Sequence, residues 1–424
     1  MSAVLDIPAP VLDLCERLAS AGFRAWVVGG CVRDQLMGQR VSDWDLTTDA
    51  TPEQVQRTFR RTIPTGIAHG TVTVLHQGSS YEVTTLRGEG AYSDGRRPDA
   101  VHFVSDIDED LARRDFTVNA IAYDPRTKEI VDPWGGVEDL RTRTLRAVRD
   151  PVERFSEDGL RVLRAARFVA TLEFELDPAT EAAIPATLET FRKVSPERVR
   201  DEWAKAATKA RRPSRAFEVM RRTGMLAITA PAIAALADDA FGRAMRRVDA
   251  APRELPVRTA ALVLEAGGDH DAWMRAMRFS NTDRELALHL LKHADLSGCA
   301  AWSDADVRRF LQRTGRDRWN EVVALAHADR AARGEGTEDL AGLIHGIERA
   351  IAEKAALTPG DLAITGKDVM DALGTGPGRH VGVVLAALLG RVTDDPSLNT
   401  RERLLALAPV VHAEGAHAQG GKGA

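Results

Sequence analysis

Cysteine is scarce: Cys15, Cys31 and Cys299 are the only three thiols in 424 residues. They lie far apart and without metal-ligand spacing, which excludes a disulfide framework and suits a reducing compartment. No run of about 18 apolar residues occurs, so no transmembrane helix is expected. The first residues also lack the basic-then-apolar pattern of a secretory leader, and a cytoplasmic protein with no membrane partner is the expectation. No G-x-G-x-x-G opens a strand–helix unit, which removes a dinucleotide-binding oxidoreductase. No repeat of fixed period is found. Positive charge is not in excess either: the formal net charge is -5, so the chain as a whole is no nucleic-acid sponge. Arginines nevertheless crowd residues 141–167, in "RTRTLRAVRD" and "RVLRAARF". A local basic face can bind RNA phosphates while the remainder stays acidic, although a solvated helix surface accounts for the same run.

What is present divides in two. Residues 1–150 mix helix and strand signals. "VLDLCERLAS" has a helical pattern closed by Gly22, and "AWVVGG" reads as a short buried strand entering a turn. "GQRVSDWDLTTD" gives a second strand, and Thr51 with Pro52 opens a helix. "HGTVTVLHQGSSYEVTTLR" is a hairpin pattern, and "AIAYDPRTKEIVDPWGG" is another strand–turn–strand. After about residue 150 strand signals stop, and a period near 3.6 continues to about 410. "HAEGAHAQGGKGA" carries too few apolar residues to pack.

Asp43 and Asp45 carry the first chemical signal. On a strand, residues i and i+2 share a face, and two carboxylates that close repel unless a cation lies beside them. Mg²⁺ prefers carboxylate oxygen and shares its shell with substrate phosphates, so such a pair suits metal-dependent nucleotidyl transfer. A surface aspartate pair in a turn accounts for D-x-D alone. Just upstream, Gly29 and Gly30 let the backbone approach an anion, and Arg33 offers a cationic fork for phosphate. A tight strand–helix turn is the plainer use of the two glycines.

G-G-x-V-R-D followed by D-x-D resembles the nucleotidyltransferase signature of bacterial tRNA CCA-adding enzymes and poly(A) polymerases. Further stretches resemble that family in its order: "DLARRDFTVNAIAYD", "VDPWGGVEDLRTRTLRAV", "RFSEDGLRVLRAARF" and "VSPERVRDEW", together covering residues 22–205. The resemblance implies an α+β nucleotidyltransferase head with a polymerase-β-like mixed sheet, followed by an all-α neck, body and tail. The expected boundaries are head 1–150, neck 151–205, body 206–355, tRNA-binding tail 356–411 and a disordered end at 412–424. It assigns Asp43 and Asp45 to Mg²⁺, Asp115 to the ribose 2′-hydroxyl, Arg114 to phosphate or sugar, and Arg164 to the nucleotide. Glu82 is a candidate third acid, although a solvated strand residue fits it equally.

Glu157, Asp158 and Arg161 form the family's base-selecting E-D-x-x-R motif, read here as one helix face. An aspartate accepts from an exocyclic amine, and an arginine donates to a ring nitrogen. Cytosine and adenine share that donor-then-acceptor edge, whereas uracil and guanine reverse it. A helix start capped by Ser156, with acids in its first turn, accounts for the same residues without a ligand. Residues 88–111 resemble the family's flexible loop, with Gly95 where some relatives carry a larger polar residue. His270-Asp271 is read as a loop pair with no phosphohydrolase site.

The expected function is template-independent addition of CCA to the 3′ end of tRNA from CTP and ATP. The tRNA would be gripped by its acceptor and TΨC arms. A-only addition and poly(A) synthesis are the related alternatives, and a catalytically dead RNA-binding protein is the non-enzymatic one. The intact Asp43/Asp45, Arg114-Asp115 and Asp158/Arg161 sets speak against the last.

Overall fold

Alternation of valine and threonine in "TVTVLH" buries Val72 and Val74 and leaves threonines on the other face, the pattern of a strand covered unequally on its two sides. The computed structural model describes residues 5–67, 70–88 and 102–420, with backbone alone from 415. Most of the expected flexible loop, residues 89–101 with Gly95, lies outside them. In chain order the first elements are α1 (Ala9–Ser20), β1 (Ala25–Val28), α2 (Gly30–Leu36), β2 (Asp45–Thr48), α3 (Pro52–Thr58), β3 (Thr62–Gly66), β4 (Thr71–His76) and β5 (Ser79–Thr85). Then come α4 (Ile107–Ala112), β6 (Ala122–Asp124), β7 (Glu129–Val131), α5 (Gly136–Thr142), α6 (Pro151–Glu157) and α7 (Leu160–Leu172).

The strands form one seven-stranded mixed sheet in the order β3-β4-β5-β2-β1-β6-β7. Its β2–β5 neighbours are parallel and pair Asp45 with Glu82. The β4–β5 hairpin turns at Gln77 and Gly78, both with positive φ, as a two-residue turn between right-twisted strands requires. α3 starts in a capping box between Thr51 and Gln54. β1 is buried on both sides: Val27 joins a core with Leu14, Leu46, Val72 and Val83, while Trp26 and Val28 join another with Leu86, Leu111 and Val148.

The chain separates into two compact units, Met1–Phe241 with Ala266–Phe279, and Gly242–Glu265 with Ser280–Ala424. Positions 150 and 205 both fall inside the first unit, because aromatic packing crosses them. Phe116 meets Phe155 and Phe168 edge-on, and Trp203 packs on Phe217, Trp273 and Phe279. A two-residue parallel pair, Thr144–Leu145 with Glu175–Leu176, adds strand structure after 150 that the sequence pattern did not reveal.

The second unit is helical among the described residues. One core gathers Leu290, Phe310, Leu325 and Ile347, and another gathers Val369, Leu388, Val392 and Leu404. Its last helix runs Arg401–Gly420, past the 412 boundary where order was expected to end. Leu404, Ala408 and Val411 are buried along it, and Arg391 pairs with Glu414 at 2.9 Å. His270 and Asp271 are not in a loop: Asp269 caps the helix His270–Ala276, and Asp271 pairs with Arg275. No described helix is long and apolar enough to cross a membrane.

Candidate active site

A cleft of about 660 Å³ in the first unit gathers all but one of the sequence-derived site residues: Gly29, Gly30, Arg33, Asp45, Glu82, Arg114, Asp115, Asp158, Arg161 and Arg164. Asp43 is the exception. It precedes β2 as an exposed residue hydrogen-bonded by Ser42, so Asp43 and Asp45 do not share a strand as expected. The reason is topological. β1 leaves the sheet at Gly29, where φ is 78°, so β2 has no antiparallel neighbour beyond Asp45. That positive φ favours glycine, and a Cβ there would also displace the Arg114 guanidinium, whose Nη1 it would approach to 2.7 Å.

Asp45 reaches the cleft beside Glu82. The surrounding protein and then Glu82 raise its pKa, with Asp43 adding to them and Arg114 opposing. A carboxylate so placed gains by meeting a divalent cation. Among the described residues no three His, Cys, Asp or Glu side chains converge as a ready-made cage. Mg²⁺ needs none, since it binds through one or two carboxylates completed by phosphate and water.

Across the cleft a polar chain links Arg33 to Arg164. Arg33 Nη1 donates to Asn119 Oδ1 at 2.6 Å, and Asn119 Nδ2 donates to Asp115 Oδ1 at 3.1 Å. Arg164 Nε then donates to Asp115 Oδ2 at 2.7 Å. Burial alone would push the Asp115 pKa up. Arg164 and the Asn119 amide outweigh it and hold the pKa at about 2. Fully buried Asp110 takes Arg113 and Arg114 together, and both arginines hold its carboxyl below the usual range against its burial.

The base-selecting residues straddle a helix break. α6 ends at Glu157, Asp158 is extended at φ -139°, and α7 starts at Leu160, so the single helix face expected for the motif is not formed. Gly159, itself helical at φ -59°, lets the backbone of Thr190 and Phe191 pack against this junction, because a Cβ there would lie 2.6 Å from Thr190 O. Ser156 is no cap; its hydroxyl donates to Val152 O within α6. Asp158 accepts from Leu160 N at 3.0 Å and from Arg198 Nη2 at 2.7 Å, so it both caps α7 and faces the cleft. Arg161 is held by Glu157 at 2.6 Å and by Arg113 O at 3.0 Å.

Arg113, which the sequence groups with Arg114 and Asp115 as two cations and an acceptor, lines the cleft too, and so do Arg87, Asn119, Arg167, Phe168 and Arg198, which were not among the residues singled out from the sequence. Asn119, Arg167, Phe168 and Arg198 do lie in the quoted stretches "DLARRDFTVNAIAYD", "RFSEDGLRVLRAARF" and "VSPERVRDEW", but spacing alone does not show which members of a stretch face inward. Eight arginines stand against four acids, Asp45, Glu82, Asp115 and Asp158, in the lining. That excess of cations is complementary to a polyphosphate.

A mixed-sheet head whose neighbouring strands bring Asp45 and Glu82 into an arginine-rich cleft, followed by helices, defines a nucleotidyltransferase of the poly(A) polymerase type. Residues 25–146 match the family described as "Poly A polymerase head domain" and 173–236 match "Probable RNA and SrmB- binding site of polymerase A". The CCA-adding enzyme of Geobacillus stearothermophilus is 35% identical over 403 residues, covering 93% of this chain and 95% of that one. The CCA-adding enzyme of Lactobacillus helveticus is 51% identical over 200 residues, 47% of this chain and 50% of its relative. A crystal structure of the Bacillus stearothermophilus CCA-adding enzyme in complex with CTP superposes with a TM-score of 0.80 at 32% identity, covering 96% of this chain and 98% of that one. The chain belongs to the family of CCA-adding enzymes.

Proposed function

We propose that this chain adds CCA to the 3′ end of tRNA from CTP and ATP without a template, with Mg²⁺ as its metal. Family membership supports this reading, and one structural observation carries it. A single cleft joins an acidic pair, Asp45 and Glu82, to a buried ribose-sized acceptor, Asp115, and to a donor–acceptor pair, Asp158 and Arg161. Asp43 and Asp45 would hold Mg²⁺, which when bound supplies charge neutralisation at the triphosphate and a more acidic 3′-hydroxyl. Backbone at Gly29 and Gly30 lies against the phosphates, with Arg33 and Arg114 donating to their oxygens. Asp115 accepts from the ribose 2′-hydroxyl, with Arg164 fixing its carboxylate. Asp158 accepts the exocyclic amine of C or A, and Arg161 donates to the adjacent ring nitrogen.

The tRNA 3′-oxygen then attacks the α-phosphate, its proton passes to Glu82 or solvent, and pyrophosphate leaves. The helical residues 206–355 and 356–411 would serve as body and tail for the acceptor and TΨC arms. Three free, buried thiols fit a cytoplasmic setting. The test is extension of tRNA transcripts ending at the discriminator base, at C and at CC, with each NTP. Addition of CCA to the shortest, stopping there, is expected. A alone on the CC-ended transcript would make the enzyme A-adding, and long A tails would make it a poly(A) polymerase. No addition at all would leave an RNA-binding protein.

A further inference from the structure

We infer that Phe168 is a positioning residue for nucleotide binding: its ring is the shared face against which Arg33, Arg164 and Arg167 are held, and it sets affinity for the nucleotide without influencing which base is chosen. This rests on reading the cleft as a nucleotide site.

Phe168 lies on α7 with 6% of its surface exposed. The guanidinium carbons of Arg167, Arg164 and Arg33 stand 3.9, 5.3 and 5.5 Å from its ring centre. All three fall within the roughly 6 Å range over which an aromatic ring attracts a cation. The edges of these groups are already occupied. Arg33 donates to Asp34 and Asn119, Arg164 to Asp115, and Arg167 to Glu202. A guanidinium bonded in its plane keeps its flat face available to an aromatic ring, and one phenyl ring lies within reach of all three.

The ring is braced from behind. Phe116 meets it edge-on, with centroids 5.7 Å apart and planes at 80°, and Phe116 in turn meets Phe155 at 6.5 Å. Three like charges around one ring repel each other, and the ring's negative faces oppose that repulsion before any phosphate arrives. Leucine would fill much of the same volume and supply none of this. Base choice has other supports, since Asp158 is tied to Arg198, and Arg161 to Glu157 and Arg113.

The test replaces Phe168 in the full chain with mono-, di- and trifluorinated phenylalanine, which keep the shape of the ring while draining its faces of charge. Equilibrium binding of CTP and KM for CTP and ATP are measured alongside Phe168→Tyr and Phe168→Leu. Affinity should fall stepwise with fluorination. Phe168→Leu should lose about tenfold, the order expected for one or two partly desolvated cation–π contacts. Phe168→Tyr should stay near wild type, and the preference for CTP over UTP should not move in any variant. A flat fluorination series, a tyrosine variant as weak as the leucine one, or altered base preference overturns the assignment. A wild-type chain that binds no CTP overturns instead the nucleotide reading beneath it.

Discussion

Replacing Asp115 with asparagine tests the ribose site and the energetics around it in one variant. Asp115 is only 8% exposed, and its pKa falls from 3.8 to about 2 in the folded chain. At about 1.36 kcal/mol per pKa unit, the ionised carboxylate contributes on the order of 2 kcal/mol to folding at neutral pH. Because the folded pKa lies below the unfolded one, that contribution is complete above about pH 4 and fades as pH drops toward about 2. Asp115→Asn should therefore unfold at lower urea at pH 7 and lack that part of the acid-induced loss seen in wild type. The catalytic effect is separable. A hydrogen bond to a charged acceptor is worth about 1.5–3 kcal/mol, so the ratio of kcat/KM for CTP over dCTP should drop by one to two powers of ten. An asparagine variant that still prefers CTP to the same degree would refute the ribose assignment, even if the stability loss were found.

Asp45→Asn should reduce nucleotide addition by about 10³-fold or more, since a bound metal supplies several kcal/mol of charge stabilisation, while leaving tRNA affinity within a few-fold. Burial and then Glu82 raise the Asp45 pKa, so its ionised form is less favoured in the folded chain without metal than in the unfolded one. The asparagine variant should melt higher than wild type without Mg²⁺ and gain nothing when Mg²⁺ is added. A lower melting point, or an equal gain, would sink that account. Arg198→Ala frees Asp158 from its 2.7 Å partner and should narrow the preference for CTP over UTP by about tenfold, on the scale of one charge-assisted hydrogen bond; unchanged preference would return Arg198 to a structural part. Trp203→Ala, at a side chain only 1% exposed and packed on three aromatic rings, should cost about 3–5 kcal/mol in urea unfolding, and a cost under 1 kcal/mol would contradict the packing argument.

Local signals in the sequence matched the structure where one stretch of chain decides its own form. Two alternating runs gave β4 and β5, Thr51-Pro52 opened α3, and the small-residue turn at Gly29 followed a buried strand. They misled where a partner decides. Asp43 carries the same strand pattern as Asp45, but pairing stops because β1 turns away, a fact written in residue 29 rather than in residue 43. Glu157-Asp158-Arg161 has helical spacing, yet Asp158 is extended, and the distant Thr190 backbone packs against Gly159 at that junction. The cleft shows the same division. Motif order located most of its members, whereas Asn119, Phe168 and Arg198 matter through contacts reaching 86, 135 and 40 residues along the chain, to Arg33, Arg33 and Asp158.

Charge shows most clearly why a count over the whole chain could not find the site. The protein is net negative, -5, while eight arginines drawn from positions 33 to 198 face one cleft. Among the described residues at least seven of them are tied by a carboxylate: Arg33 by Asp34, Arg113 and Arg114 by Asp110, Arg161 by Glu157, Arg164 by Asp115, Arg167 by Glu202, and Arg198 by Asp158. Of those six carboxylates, only Asp115 and Asp158 line the cleft themselves; the other four lie outside its lining. The arginines thus keep a net positive face toward a ligand while their side chains are already held in place, so a triphosphate arriving there meets donors that have little rotamer freedom left to lose. Holding the cations with carboxylates that stay outside the lining is how an acidic protein presents a basic site.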